Sequence, residues 1–171
     1  MKKIVLTGAQ GTGKTTILKN LEYPQITEVV RKLSKLGVNI NENGDESGQR
    51  KIWNTYEQLF SMVSGWVSDR GLTDVLAYSI WLHRNGKNVS EKFIKKQKKA
   101  FEKFLEDNPD IMYCYFPIEF PLVKDGVRSE DENFRKEIDE IIREILEEFV
   151  VNYIVISGTV EDRLNIIETI L

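Results

Sequence analysis

The chain has 171 residues, of which 41% are hydrophobic and 30% are charged, and its formal net charge at pH 7 is −3. This length and composition fit one folded domain, residues 1–171, with a substantial core and no room for a second domain. The slightly acidic balance gives no global attraction to nucleic acid. The apolar runs fall well short of the roughly 18 residues that a membrane span needs, so we expect a cytoplasmic protein without a membrane segment.

The first predicted element is a buried strand at Ile4–Leu6, and a glycine-rich loop follows it. The loop sequence GAQGTGKTT contains the pattern G-x-x-x-x-G-K-[ST], whose backbone N–H groups, lysine and hydroxyl bind phosphates and Mg²⁺. Glycines let the backbone turn so that several N–H groups converge on one anion, and the helix that starts near Lys14 adds its positive end. The pattern predicts a triphosphate site, with Thr15 as a magnesium ligand, formed by Gly8, Ala9, Gln10, Gly11, Thr12, Gly13, Lys14, Thr15 and Thr16.

Four further strands are predicted, around Ile26 and at the apolar segments 66–68, 111–116 and 153–156. Helical patterns lie between the strands, and this alternation predicts an α/β fold in which helices cover both faces of a five-stranded parallel sheet. The polar segment 39–48 (NINENGDESG) is predicted to be a loop. Cys114 lies within the fourth strand, so we expect a buried free thiol in a reducing compartment.

Charged residues follow the later strands, at the edge where parallel sheets bind ligands. Glu28 and Arg31 follow the second strand, and Asp69, Arg70 and Asp74 follow the third. Asp69 is the first candidate for the general base and can also hold a Mg²⁺-bound water, while Glu28 competes for the base role. Arg70 could bind an acceptor phosphate or the transferring phosphate. Asp74 is interpreted as an acid on a helix surface.

The segment after the fourth strand carries several cations, and we predict a lid over residues 119–136. Arg128 and Arg135 can neutralise charge on a transferring phosphoryl group when this lid closes. The alternative for both is an ion pair on a solvated helix. Ser129 is the candidate N-cap of the helix that follows. After the fifth strand, Arg163 is a candidate to stack on the base of the phosphate donor.

Taken together, five segments of the chain resemble the small P-loop kinases of the NadR-like type, AAA-type P-loop domains that include phage-encoded relatives. They are GAQGTGKTT, TEVVRKL, SDRGLTDVLAYS, FPLVKDGVRSEDENFRKEID and ISGTVEDRL. The resemblance implies a five-stranded kinase fold with a lid, ATP and Mg²⁺ as cofactors, and a nucleoside or nucleoside monophosphate as acceptor. It also implies that the loop at residues 157–160 approaches the donor purine through its backbone.

Two alternatives stay open beside a small-molecule kinase. The lysine-rich segment EKFIKKQKKAFEKFLED could dock DNA or RNA, and a nucleotide-binding module without kinase activity would use the same loop. The absence of an N-K-x-D guanine motif excludes a GTPase switch. The residues do not decide whether the acceptor carries a phosphate, because Glu28 fits a nucleoside and Arg31 fits a monophosphate. A homodimer also stays open.

Overall fold

The computed structural model describes residues 1–122 and 131–171. In this part of the chain, five parallel strands form one sheet with the order β2-β3-β1-β4-β5. The strands are β1 (Lys3–Thr7), β2 (Gln25–Ile26), β3 (Trp66–Asp69), β4 (Ile111–Tyr115) and β5 (Tyr153–Val155). The five predicted strands and the parallel sheet are therefore confirmed.

Seven α-helices accompany the sheet within the described residues. They are α1 (Lys14–Leu18), α2 (Val29–Lys35), α3 (Glu46–Met62), α4 (Leu72–Arg84), α5 (Glu91–Asp107), α6 (Glu132–Glu148) and α7 (Val160–Ile170), and Asn41–Asn43 form a short 3₁₀ helix. Val5 packs with residues of α3 to α6, whereas Ile4 and Leu6 pack with residues of α1 and α7. Because successive strand side chains point to opposite faces, this division places the sheet as the middle of three layers.

The apolar faces of α5 and α6 both lie in the core. The buried residues of α6 include Phe134, Ile138, Ile141, Ile142 and Ile145, and those of α5 are Phe93, Ile94, Gln97 and Phe101. Cys114 is fully buried within β4, as predicted. Across the described parts of the chain, helices are too short or too polar to traverse a lipid bilayer.

Aspartates cap α3 and α6, two helices whose first residues were predicted differently from the sequence. The predicted loop over 39–48 is wrong at its end, because α3 begins at Glu46, where the Asp45 side chain accepts a hydrogen bond of 2.7 Å from a first-turn N–H. Asp131 caps α6 and accepts hydrogen bonds from two first-turn N–H groups. The predicted cap, Ser129, lies outside the described residues.

Strand register brings the candidate residues to one edge of the sheet. Leu6 of β1 pairs with Asp69 of β3, and Thr7 pairs with Tyr115 of β4. The loop after β1 therefore starts between the ends of β3 and β4, the two neighbours of β1. The strand order reverses at this point, and open α/β sheets bind ligands at such a reversal. Ile26 of β2 pairs with Ser68, which places the residues after β2 at the same edge.

Candidate active site

The loop between β1 and α1 surrounds the ammonium group of Lys14. Lys14 Nζ donates hydrogen bonds of 2.7 Å to the carbonyl oxygens of Gly8 and Ala9, and one of 2.9 Å to Thr12 Oγ1. Lys14 is only 4% exposed. The loop is therefore already folded round the cation that the sequence pattern assigns to phosphate binding.

The first and last glycines of this loop are required by its geometry. Gly8 has a φ of 145° and Gly13 has a φ of 93°, which side chains rarely allow. A Cβ at Gly8 would lie 2.5 Å from the carbonyl oxygen of Phe116, so β4 leaves no room for a larger residue. Close packing against β4 and left-handed turns together give the loop its concave shape.

Two buried arginines hold the outer side of the loop. Arg135 of α6 donates from Nε to the Gln10 carbonyl at 2.8 Å and from Nη2 to the Gly11 carbonyl at 3.1 Å. Arg163 of α7 donates from Nη1 to the Thr12 carbonyl at 2.7 Å. Their side chains are 1% and 2% exposed, and Arg135 also forms the ion pair expected as its alternative, with Glu132 on the same helix at 3.3 Å, although the arginine itself is buried. Donor binding by both stays a prediction, and the contacts that they make here brace the loop.

The surroundings of Arg163 connect the ends of β4 and β5. Its guanidinium lies 4.7 Å from the ring centroid of Phe120 and 5.6 Å from that of Phe116. It also forms an ion pair with Glu119, whose carboxylate accepts a hydrogen bond of 3.2 Å from Gly158 N–H. A donor base that stacks on Arg163 would have to share the guanidinium with these rings.

Thr15 and Asp69, the two predicted magnesium ligands, are in contact. Thr15 Oγ1 donates a hydrogen bond of 2.9 Å to Asp69 Oδ2. Outside residues 123–130, no three His, Cys, Asp or Glu side chains form a cluster that could hold a metal. Mg²⁺ keeps several waters and usually takes one or two protein oxygens beside phosphate oxygens. A hydroxyl and a carboxylate at this separation therefore fit a magnesium ion that binds with a nucleotide.

A cavity of 690 Å³ joins the P-loop to the ends of β2 and β3. It is lined by residues 11–16 and Arg163, and also by Glu28, Arg31, Asp69 and Arg70. The structure thus brings the charged residues after β2 and β3 into one space with the loop.

Other predicted site residues lie elsewhere. Gly8, Ala9 and Gln10 form the inner part of the P-loop, and Arg135 lies behind it, so none of these lines the cavity. Arg128 lies outside the described residues, as does most of the lid predicted over 119–136.

Three residues of the cavity wall have a left-handed backbone. The φ angles are 61° at Glu28, 54° at Asn41 and 76° at Arg70, and all three residues line the cavity. Such a conformation costs a non-glycine residue on the order of 1–3 kcal/mol and persists only where the surrounding structure imposes it. Several non-glycine residues with a left-handed backbone round one cavity are typical of a functional site.

The arginines on this side have carboxylates beside them. Arg31 Nε lies 3.5 Å from Glu28 Oε2, and both side chains are partly exposed. Arg70 Nη1 donates a hydrogen bond of 3.2 Å to Tyr78 Oη and lies 3.8 Å from Asp74 Oδ1. The two candidate phosphate ligands are therefore already partly neutralised by neighbouring carboxylates.

The prediction that Asp74 is an acid on a helix surface is wrong. The expected surface acid is only 2% exposed, and its carboxylate accepts hydrogen bonds from Gly8 N–H at 3.3 Å and Gly71 N–H at 3.1 Å. Burial raises the pKa of Asp74, and the charges of Arg70 and Lys14 partly offset this. An acid in the first turn of a helix signals the bond to Gly71, but not the contact with Gly8, which is 66 residues away in the chain.

Aromatic side chains from α3 and α4 complete the acceptor side. Tyr56 lines the cavity and donates a hydrogen bond of 3.0 Å to the Asp69 carbonyl, whereas its neighbour Trp53 is part of the core. Tyr78 also lines the cavity and donates a hydrogen bond of 3.3 Å to Gln10 Oε1. Helical periodicity does not distinguish a cavity-lining tyrosine from a core tyrosine, so the sequence carried no signal for Tyr78.

A parallel five-stranded sheet with a phosphate-binding loop after its central strand defines the P-loop kinase fold. The chain belongs to the AAA domain family, whose profile matches residues 3–163. The resemblance found in the sequence is therefore confirmed at the level of family and fold. Among curated proteins, none matches the sequence significantly.

Solved structures share the fold at low sequence identity. The NadR protein in complex with NR has a TM-score of 0.75 and 17% identity, with 99% of this chain and 50% of that chain covered. Deoxyadenosine kinase from M. mycoides with bound dATP has a TM-score of 0.68 and 16% identity, with 99% and 98% covered. Thymidylate kinase from Candida albicans has a TM-score of 0.62 and 13% identity, with 99% and 90% covered. The chain thus spans about half of the NadR protein and nearly all of the two kinases.

Proposed function

We propose that the chain is an ATP-dependent phosphotransferase that moves the γ-phosphate of ATP to a nucleoside or a nucleoside monophosphate. The observation that carries this proposal is the cavity of 690 Å³, which is lined both by the P-loop and by the charged residues after β2 and β3. A site that only bound or hydrolysed a nucleotide would need the P-loop residues of this cavity but not the charged residues after β2 and β3. The kinases among the structures that share the fold support the same reading.

On the donor side, the P-loop N–H groups and Lys14 bind the phosphates of ATP. Thr15 and Asp69 would hold Mg²⁺, which neutralises charge on the phosphates when it is bound. Lys14 Nζ donates to carbonyl oxygens of its own loop, so its ammonium group is positioned before the nucleotide arrives. Arg135 and Arg163 keep the loop in shape behind it, and Arg128 is proposed as the lid cation that closes over the transferring phosphate.

On the acceptor side, a carboxylate orients the attacking hydroxyl and takes its proton. Asp69 and Glu28 both line the cavity. The hydrogen bond between Thr15 and Asp69 favours the metal role for Asp69, which leaves Glu28 as the stronger candidate for the base. Arg70 and Arg31 orient the acceptor, and Tyr56 holds the main chain of Asp69 in place.

Docking of a nucleic acid on α5 has less support. Three of its lysines pair with acids, in the contacts Lys95–Glu91, Lys98–Glu148 and Lys103–Asp107. These pairs reduce the positive charge that a phosphate backbone would meet. The acceptor is therefore expected to be a small molecule.

The test is transfer of labelled γ-phosphate from ATP to a panel of nucleosides, nucleoside monophosphates and oligonucleotides. We expect label on at least one nucleoside or monophosphate, at a rate well above ATP consumption without an acceptor. ATP consumption that no acceptor changes would identify a nucleotide-binding module or hydrolase instead. Label confined to oligonucleotides would identify a nucleic-acid kinase.

A further inference from the structure

Four side chains form a chain of contacts that begins and ends at the P-loop. Gly8 N–H donates to Asp74 Oδ1 at 3.3 Å, and this oxygen lies 3.8 Å from Arg70 Nη1. Arg70 Nη1 donates to Tyr78 Oη at 3.2 Å, and Tyr78 Oη donates to Gln10 Oε1 at 3.3 Å. We call Gln10, Arg70, Asp74 and Tyr78 the Asp74 network.

The network connects two segments that are far apart in the sequence. The other oxygen of Asp74 accepts a hydrogen bond of 3.1 Å from Gly71 N–H, in the turn between β3 and α4. That turn carries Asp69 and Arg70, the latter with a strained φ of 76°. One carboxylate therefore fastens the P-loop to the turn that presents the metal and acceptor ligands.

Helix capping alone does not explain a carboxylate at this position. A serine or asparagine could accept the Gly71 N–H equally well. Two acceptor oxygens are needed to reach Gly8 and Gly71 at once, and a negative charge is needed to face Arg70. Burying that charge is costly unless it is paired and hydrogen-bonded, and Gly8, Gly71 and Arg70 supply these partners.

We propose that Asp74 is a positioning residue for phosphoryl transfer, which sets the distance between the P-loop and the turn that carries Asp69 and Arg70. The inference rests on the proposed function, because phosphoryl transfer between two bound partners needs the two segments held at a fixed separation. Misplacement of reacting groups by about 1 Å can lower a rate by roughly 10²-fold without contact between the altered residue and the substrate. Asp74 lines the same cavity but is only 2% exposed, so it acts here through its neighbours.

The variant Asp74→Asn keeps the size of the side chain and one acceptor oxygen. Its amide NH₂ must face one of the two N–H donors, so one of the two segments loses its tether. We expect kcat to fall by about 10- to 10²-fold, with the dissociation constant of a non-hydrolysable ATP analogue within about threefold of the wild type. Calorimetric titration measures the second quantity without any acceptor.

Asp139→Asn is the matched control. Asp139 of α6 is also a buried carboxylate outside the network; it accepts hydrogen bonds from Tyr115 Oη of β4 at 2.9 and 3.0 Å and pairs with Arg143 Nε at 3.3 Å. We expect wild-type kcat from this control. Equal losses of kcat in the two variants, or an Asp74→Asn loss that lies wholly in nucleotide affinity, would overturn the proposal.

Tyr78→Phe removes one hydroxyl and tests the network by a second route, which stays open if Asp74→Asn does not fold. It breaks the contacts to Arg70 and Gln10, and we expect a smaller loss of kcat, about threefold to tenfold. Where Asp74→Asn folds, the two losses should not be additive. Unchanged kcat in Tyr78→Phe would remove Tyr78 from the network, and additive losses would refute a shared network.

Amide hydrogen exchange separates failure of this inference from failure of the proposed function. In Asp74→Asn we expect faster exchange at both Gly8 and Gly71 relative to Asp139→Asn. Faster exchange at Gly71 alone would show that Asp74 is only a helix cap and would overturn the proposal. A wild-type protein that labels no acceptor would refute the proposed function, whereas an active wild type with an equally active Asp74→Asn would refute only the positioning role.

Discussion

The two walls of the cavity are built in different ways. The donor wall is one continuous stretch of chain, and buried groups bond to its backbone carbonyls from inside (Lys14) and from outside (Arg135 and Arg163). The acceptor wall is assembled from the ends of β2 and β3 and from α3 and α4, and its charged residues Glu28 and Arg31 are partly exposed. A preformed donor wall binds a phosphate chain that is common to all nucleoside triphosphates, so we expect acceptor choice to depend on the second wall.

The two walls also differ in backbone conformation. Left-handed turns in the P-loop fall on glycines, which adopt them readily, whereas those of the acceptor wall fall on Glu28, Asn41 and Arg70. The acceptor wall is therefore held in a strained shape by its surroundings. In addition, β2, which leads into this wall, is only two residues long. We expect changes in the acceptor wall to alter specificity more readily than changes in the donor wall.

The largest effect is expected from Lys14→Ala. Loss of the P-loop cation removes charge stabilisation from the transferring phosphate, and we expect the phosphoryl-transfer rate to fall by about 10²- to 10³-fold or more. Steady-state kinetics measures the loss, and circular dichroism checks the fold. The matched control is Lys96→Ala, which changes an exposed lysine of α5 and should leave the rate unaltered. Near-normal turnover by Lys14→Ala would remove the donor wall from the mechanism.

The second prediction compares Asp69→Asn with Glu28→Gln. Both substitutions keep the shape of the side chain but remove its charge, and we expect each to lower kcat by about 10²-fold, the scale for loss of an acid or base group. If Asp69 acts through Mg²⁺, raising the Mg²⁺ concentration should partly restore Asp69→Asn and leave Glu28→Gln unchanged. The reverse pattern would assign the base to Asp69, and small effects from both would contradict a kinase mechanism.

A third prediction concerns Arg31→Ala and the charge of the acceptor. Charge-assisted hydrogen bonds to a monophosphate contribute about 1.5–3 kcal/mol each, so loss of Arg31 should raise the acceptor KM by one to two orders of magnitude. The KM for ATP should stay the same. A nucleoside acceptor would show a much smaller change, since it has no phosphate for the guanidinium to bind. A matching rise in the KM for ATP would place Arg31 on the donor wall.

The smallest effect is expected at Cys114, which lies in β4 of the sheet. The thiol is fully buried in β4, and burial raises its pKa to about 12, so it stays protonated from neutral pH to pH 9. An aromatic disulfide reagent attacks the thiolate and should label the native protein only as fast as the sheet opens. Absorbance of the released thiol follows the reaction with and without denaturant. Rapid labelling of the native state would mean that the shared sheet is less closed than the structure shows.

Much of the fold could be predicted because the signals are local. Each strand is a short apolar run bounded by turn residues, and the apolar stripe of α6 repeats with the period of a helix. Helix ends were less predictable, because Ser129 and Asp131 are both acceptable caps of α6 by residue type, and the packing of the neighbouring chain decides between such candidates.

Apart from Arg163, the donor wall was determined by the sequence alone, because consecutive residues 11–16 of the P-loop pattern form it and glycine, lysine and hydroxyl groups have fixed roles there. The acceptor wall was not, because its members meet only when parallel strands align. Asp74 shows the limit most clearly: its helical position predicts a surface acid or a cap, and only the pairing of β1 with β3 buries it beside Gly8. Local preferences act over a few residues, whereas burial and long-range hydrogen bonds depend on how the layers pack, so tertiary structure alone decided which charges share the cavity.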